Sequence, residues 1–351
     1  MICCFVRAAR RGCALAVCVP VFFAWIEGAE ARRVLMIGNS YTFYNDLPDV
    51  LAALSRKTTC PLEVDSYTAG AMSLRGFLDM PEHARVRRLL ESGEYDWVVL
   101  QDQSQTPAYR PAETLESVRR WTSLARRSGT RVMLFLTWAH AAENSGRLSL
   151  LTDMQELTSA TYCRAAVENK VAVAPVGEAW GLWYRRNPGK ALHIDDRSHP
   201  NVQGTYLAAC VIHGAMSGKR LKGLPASCRL RSGRLFRIPG GVAAELQKTA
   251  NASLKGFSPQ SLLQKLQERD ALRPGADEVK AVLHKGMKLA ELEKLVGRPL
   301  QSLRAGDRLN CTFSLRGGTE LCAYCNRSGT VEQISISAPG RMADIIDLTQ
   351  M

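Results

Sequence analysis

Short, wholly apolar runs alternate with longer stretches of helical periodicity along the first part of this chain. Val34 to Ile37, Val98 to Leu100, Val132 to Leu136 and Val171 to Val176 are bounded by polar turns and read as strands buried on both faces. Between the first two, Leu47, Val50, Leu51 and Leu54 share one helical face, with Asn45 or Asp46 placed to cap it and Pro48 suited to its first turn. Further helical patterns cover Ala112 to Arg127 and Leu151 to Asn169. Strand and helix in alternation predict an α/β fold, a parallel sheet covered on both faces.

The alternation ends near Pro225, and a helix from Gly241 to Leu254 is expected to close a first domain at 32–256. Pro259, Pro274 and Gly275 flank a short helical piece in a connector, 257–275. The remainder, 276–351, changes character. Helical patterns around Ala276 to His284 and from Leu289 to Val296 precede runs at Leu309 to Leu315, Glu320 to Asn326 and Thr330 to Ser337. Turns at Gly317-Gly318 and Ser328-Gly329 separate those runs, which predicts a small α+β module with two helices and a three-stranded antiparallel sheet.

Residues 1–31 read as an export leader: Arg7, Arg10 and Arg11 precede an apolar run from Cys13 to Ile26, and Ala29-Glu30-Ala31 offers a small-x-small cleavage site. Pro20 and the short run disfavour a membrane span, which needs about 20 apolar residues. Periplasm or cell envelope is therefore the expected location, with membrane contact only through an uncleaved leader. Four of the eleven cysteines lie in the leader, and the remaining seven, Cys60, Cys163, Cys210, Cys228, Cys311, Cys322 and Cys325, cannot all pair. In an exported chain a disulfide among Cys311, Cys322 and Cys325 is expected ahead of a zinc site, because His284 is the only histidine in that region. The net charge of +13 is concentrated between Arg32 and Gly275, since residues 276–351 carry ten Lys/Arg against nine Asp/Glu and the leader three against two. Pairs such as Arg119-Arg120 and Arg126-Arg127 lack interleaved aromatics, so a solvated basic face is expected and no nucleic-acid partner. No Gly-rich phosphate loop and no cluster of metal ligands occurs, so neither cofactor nor metal is expected.

The candidate chemistry lies at Ser40, directly after the first strand, where open α/β sheets build their ligand sites. A serine needs a base, and His199 is the best placed of six histidines. It sits in the polar turn Asp195-Asp196-Arg197-Ser198-His199-Pro200, with Asp196 three residues ahead to orient its ring. Trp138 and His140, after the run Val132 to Leu136, are candidates to line a substrate pocket; His193 is a candidate supporting residue, and His83 and His213 read as structural.

Gly38-Asn39-Ser40, Gly70, the polar segment Gln101 to Gln105 and Asp196-x-x-His199-Pro200, taken in order, resemble the blocks of the SGNH, or GDSL-type, hydrolase superfamily over roughly Arg32 to Phe257. The runs Ile37 to Thr42, Val99 to Ser104 and His199 to Ala209 resemble a bacterial branch with Asn before the serine. The resemblance implies a flavodoxin-like three-layer fold, with Ser40 as nucleophile, His199 as general base and Asp196 as its partner. It implies oxyanion donors at the Ser40 and Gly70 amides, and a third from Gln103, or else Gln105, where the superfamily carries Asn. Asn39 and Trp138 are expected to contact substrate. Lys285 to Leu292, Val296 to Pro299 and Gly329-Thr330-Val331 resemble SmpA/OmlA-type outer-membrane assembly lipoproteins, which implies an envelope protein partner for the last module.

The leading expectation is an exported serine esterase acting on acyl esters, acetyl foremost, of a carbohydrate or envelope polymer. A lipase or thioesterase with the same triad, or a non-catalytic envelope scaffold, are the alternatives.

Overall fold

The computed structural model describes residues 30–351 apart from 145–146, 298, 300 and 339–340, so nearly all of the expected leader lies outside the described residues. Five parallel strands form the central sheet: β1 (Arg32–Gly38), β2 (Leu62–Thr68), β3 (Trp97–Leu100), β4 (Arg131–Phe135) and, after an antiparallel hairpin of β5 (Ala141–Asn144) and β6 (Arg147–Leu150), β7 (Ala172–Ala174). Their spatial order is β2-β1-β3-β4-β7, the flavodoxin-like order, with the direction of winding reversing between β1 and β3.

Helices cover both faces. In chain order they are α1 (Ser40–Phe43), α2 (Leu47–Ser55), α3 (Leu74–Asp79), α4 (Ala84–Glu91), α5 (Thr106–Tyr109), α6 (Pro111–Arg127), α7 (Thr152–Asn169), α8 (Val176–Arg186), α9 (Val202–Ser217) and α10 (Gly240–Leu254). A minor hairpin, β8 (Ser227–Arg229) with β9 (Leu235–Arg237), lies between the last two.

Alternate residues of β1 serve two cores. Val34 and Met36 pack with the α2, α8, α9 and α10 side chains, whereas Leu35 and Ile37 pack with those of α3, α4, α6 and α7. All four are fully buried, which is why the strand reads as a continuous apolar run. At the sheet edge β2 alternates buried Leu62 and Val64 with exposed Glu63, and this alternation hides it from a search for apolar runs. At the start of α2, Asp46 stands in the capping position but makes no capping bond; its carboxylate pairs with Arg234 at 2.6 Å instead.

The stretch 257–275 carries a thirteen-residue helix, α11 (Pro259–Ala271), whose Leu262 and Leu263 pack against the first domain. Beyond it come α12 (Ala276–Lys280), α13 (Leu289–Val296) and an antiparallel sheet of β10 (Gln301–Ala305), β11 (Arg308–Leu315), β12 (Thr319–Cys325), β13 (Val331–Ser337) and β14 (Asp344–Asp347). The sheet has five strands where three were expected, because the edge strands β10 and β14 lack the apolar alternation of the inner three. Its core, with Val279, Leu292, Phe313, Leu321 and Ile334, is separate from the other two. Arg273 ties the module to the first domain, pairing with Asp153 at 3.0 Å and Glu156 at 3.2 Å while donating to Ser314 of β11 at 3.1 Å.

The expected disulfide is corrected: all seven described cysteines are free thiols. Cys322 and Cys325 lie three residues apart on an extended strand and so point to opposite faces, with Cys325 in the core beside Cys311 and Cys322 half-buried on the other side.

Gly38 at the end of β1 is required by close approach. A Cβ there would stand 2.4 Å from Thr42 Oγ1 and 2.5 Å from Gln101 Oε1, which are hydrogen-bonded to each other. Gly38→Ala is expected to lower stability by about 1–3 kcal/mol through overpacking, measured by urea unfolding.

Candidate active site

The loops after β1, β2 and β3 emerge together at the carboxyl edge of the sheet, because Gly38 is in register with Thr68 and Ile37 with Leu100. Asn39 caps α1, its Oδ1 accepting from the Tyr41 amide at 3.1 Å, which starts a helix at Ser40 directly off the strand. Its own amide donates to Gln101 Oε1 at 2.9 Å, and its Nδ2 donates to the Met72 carbonyl at 3.1 Å. Asn39 is 2% exposed, so the expected substrate contact is corrected: the side chain fastens the serine loop to the loop after β2. An aspartate here would have no proton to give Met72, a physical reason for the amide.

Ser40 Oγ lies 2.8 Å from His199 Nε2, and His199 Nδ1 lies 2.5 Å from Asp196 Oδ2. The other Asp196 oxygen accepts the Ser198 and His199 amides, each at 2.9 Å, so one carboxylate both closes the turn and orients the ring. Burial pushes the Asp196 carboxyl up, but the His199 bond and the two amides outweigh it and hold the group below its ordinary range. The residue between, Arg197, takes a left-handed φ of 61°, which lets the chain double back within this turn. Tyr44 stacks on the imidazole with centroids 4.6 Å apart, presented by Asn45 and Asp46, themselves left-handed at φ 54° and 59°.

Trp138 is fully buried and does not line a cleft, a second correction. It is sandwiched between Trp180 at 3.9 Å and Tyr41 at 4.6 Å, and its Nε1 donates to the Ser198 carbonyl at 2.9 Å. Tyr41 completes the bracket through its hydroxyl, 2.8 Å from Ser198 Oγ, and burial pushes that phenol up to about 12. The stack therefore supports the histidine turn from beneath. His140 is half-buried, with its Nε2 lacking a hydrogen-bond partner among the described residues.

The Ser40 and Gly70 amides have no protein acceptor among the described residues, and Gly70 is exposed with open space where a Cβ would lie. Gln103 is engaged otherwise: its Oε1 accepts the Gln105 amide at 2.7 Å and the Thr106 amide at 3.1 Å, capping α5, and its Nε2 donates to Ser104 Oγ at 3.3 Å. Gln105 is exposed and its side chain makes no hydrogen bond among the described residues. The amides at the start of α5 thus hold the Gln103 oxygen, leaving the Nε2 group as the end of that side chain free to donate.

Two residues of this segment were missed as supports. Gln101, fully buried at the end of β3, receives both the Asn39 amide and the Thr42 hydroxyl, the latter at 2.8 Å, and donates to the Asp102 carbonyl. Asp102, also fully buried, accepts from the Leu74 and Gln103 amides at 2.8 Å and from Thr114 Oγ1 at 2.6 Å. Burial raises its pKa above the ordinary carboxylate value. A polar run after an apolar strand was the available signal, but the sequence holds no sign of which side chains point inward.

No family model matches the chain, and no curated protein does. Among solved structures, it is similar to a protein from Slackia heliotrinireducens assigned to the SGNH hydrolases, at 27% identity over 53% of this chain and 100% of that one, with a TM-score of 0.46. It is similar to a DUF4886 family protein from Bacteroides uniformis, at 18% identity over 64% of this chain and 95% of that one, with a TM-score of 0.48. A third is a variant acetyl-xylooligosaccharide esterase from Geobacillus stearmophilus, at 14% identity over 55% and 97% of the respective chains, with a TM-score of 0.43.

His193 anchors the foot of the histidine turn. Its Nε2 faces the Ala139 carbonyl at 3.1 Å, so that nitrogen carries the proton, and Nδ1 accepts from Tyr184 Oη at 2.7 Å. Burial lowers its pKa from 6.5 to about 4. The folded ring stays neutral while the unfolded one takes a proton, so its contribution is complete above pH 6.5 and is lost as pH falls toward 4. Stability is expected to drop by about 2 kcal/mol from pH 7 to pH 5 through this group. Urea unfolding at the two pH values should show a smaller difference in His193→Gln than in the parent.

Proposed function

We propose that this chain, whose first domain has the SGNH-type hydrolase fold, is an exported serine esterase that removes acyl groups, acetyl foremost, from a carbohydrate or envelope polymer. The observation that carries the reading is the unbroken chain from Ser40 Oγ through the His199 ring to the Asp196 carboxylate.

In this reading Ser40 Oγ attacks the ester carbonyl carbon as His199 Nε2 takes its proton, and the Asp196 carboxylate stabilises the imidazolium that results. The oxyanion is met by the Ser40 and Gly70 amides, which have no competing protein acceptor among the described residues. Collapse of the tetrahedral intermediate breaks the bond to the alcohol oxygen, which leaves with the proton from His199. Water, deprotonated by the same imidazole, then attacks the acyl carbon and releases the acid and free Ser40. Phe43, 40% exposed one turn from the serine, and the half-buried Tyr44 offer apolar surface for a sugar ring beside the ester. The sequence of residues 1–31 supports export.

Ser40→Ala should lower turnover of p-nitrophenyl acetate by on the order of a thousandfold or more and abolish labelling by a serine-directed fluorophosphonate, with unfolding unchanged. Retained turnover would reject the assignment. Trp138→Phe keeps the stack but loses the bond to Ser198, so kcat should fall about tenfold with KM unchanged, a loss of about 1.4 kcal/mol in the transition state. A rise in KM alone would instead return Trp138 to the substrate pocket.

A further inference from the structure

A second cleft, of about 790 Å³, opens where α9 and α10 end beside β7, the outer strand of the sheet. It is distant from the serine. α9 begins three residues after His199 and runs for sixteen, which places its far end about 24 Å away. Lys219, Arg220, Lys248 and Lys255 rim the cleft, all exposed, over the half-buried Leu254 and Phe257. Among the described residues none of the four cations has a carboxylate partner; Lys219 donates to Thr59 Oγ1, and Glu245, one turn before Lys248, pairs with Lys190. Two helix C-termini converge here, and their carbonyl partial charges offset the mutual repulsion of the rim.

We propose that this cleft binds the head groups of an anionic phospholipid surface. A cationic rim over an apolar floor matches a ligand that carries phosphate and hydrocarbon together, which a wholly polar polymer does not. The chain also enters the domain at this end: Arg32, at the start of β1, donates to the Met216 carbonyl in the last turn of α9. Docking by this end leaves Ser40, at the opposite edge of the sheet, facing away from the bilayer. The inference does not depend on the esterase reading.

The test is sedimentation of the full chain with phosphatidylcholine vesicles, with and without phosphatidylglycerol. The parent should prefer the anionic vesicles, and that preference should fall by on the order of a hundredfold in Lys219→Ala/Lys248→Ala/Lys255→Ala and vanish at high salt. Arginine at the same three positions should retain it, and the unfolding midpoint should be unchanged in both variants. Full preference in the alanine variant would overturn the proposal by assigning the effect to the leader's arginines. Binding of heparin or inorganic phosphate without any vesicle preference would overturn it in favour of a polymer or a free-anion site.

Discussion

The site depends on closing a gap of 159 residues between a hydroxyl and an imidazole to 2.8 Å. Neither partner is positioned by its own element alone. Ser40 is fixed because β1 is locked between two strands and two cores, so the turn that follows it cannot wander. His199 sits in a loop, and loops are mobile unless something holds them. Here the Trp180–Trp138–Tyr41 stack does so, with one hydrogen bond from Trp138 and one shared with Tyr41 reaching Ser198 next to the histidine. Because Tyr41 also follows Ser40, the same aromatic column braces both halves of the pair.

The polar network beneath the nucleophile follows a similar logic. A buried amide or carboxylate is costly without partners, and Gln101, Asp102 and Asn39 each have several. Gln101 joins the end of β3 to the serine loop, Asp102 joins it to the start of α3, and Asn39 joins the serine loop to the one after β2. Three strand ends are thus tied together by buried side chains. Gly38 makes room for this arrangement, and that is why a side chain is excluded there.

Charge is distributed in accord with the architecture. Near Ser40, Asp196 is engaged with His199 and Asp46 with Arg234, whereas four cations without a carboxylate partner among the described residues gather where α9 and α10 end. One helix, α9, spans from the histidine turn to the basic cleft and is buried along most of its length, so the two ends are held at a fixed separation. The third core, joined through Arg273, is organised independently of both.

Much of this was determined locally. The buried central strands are legible as apolar runs because both faces of each are covered, and α6, α7 and α10 because their periodicity is long; Ser40, Asp196 and His199 stand out because a short polar turn needs a reason. What pattern could not reveal depends on facing. The alternation of β2 and the edge strands β10 and β14 acquire meaning only beside their neighbours, and Cys322 and Cys325 are kept apart by the two faces of one strand. Trp138 and Asn39 carry chemistry that suits a pocket, yet packing turned both inward, and the amides of α5 drew Gln103 into a cap. A sequence states which groups are available, but the direction of each side chain is set by whatever packs against it, and those neighbours come from distant parts of the chain.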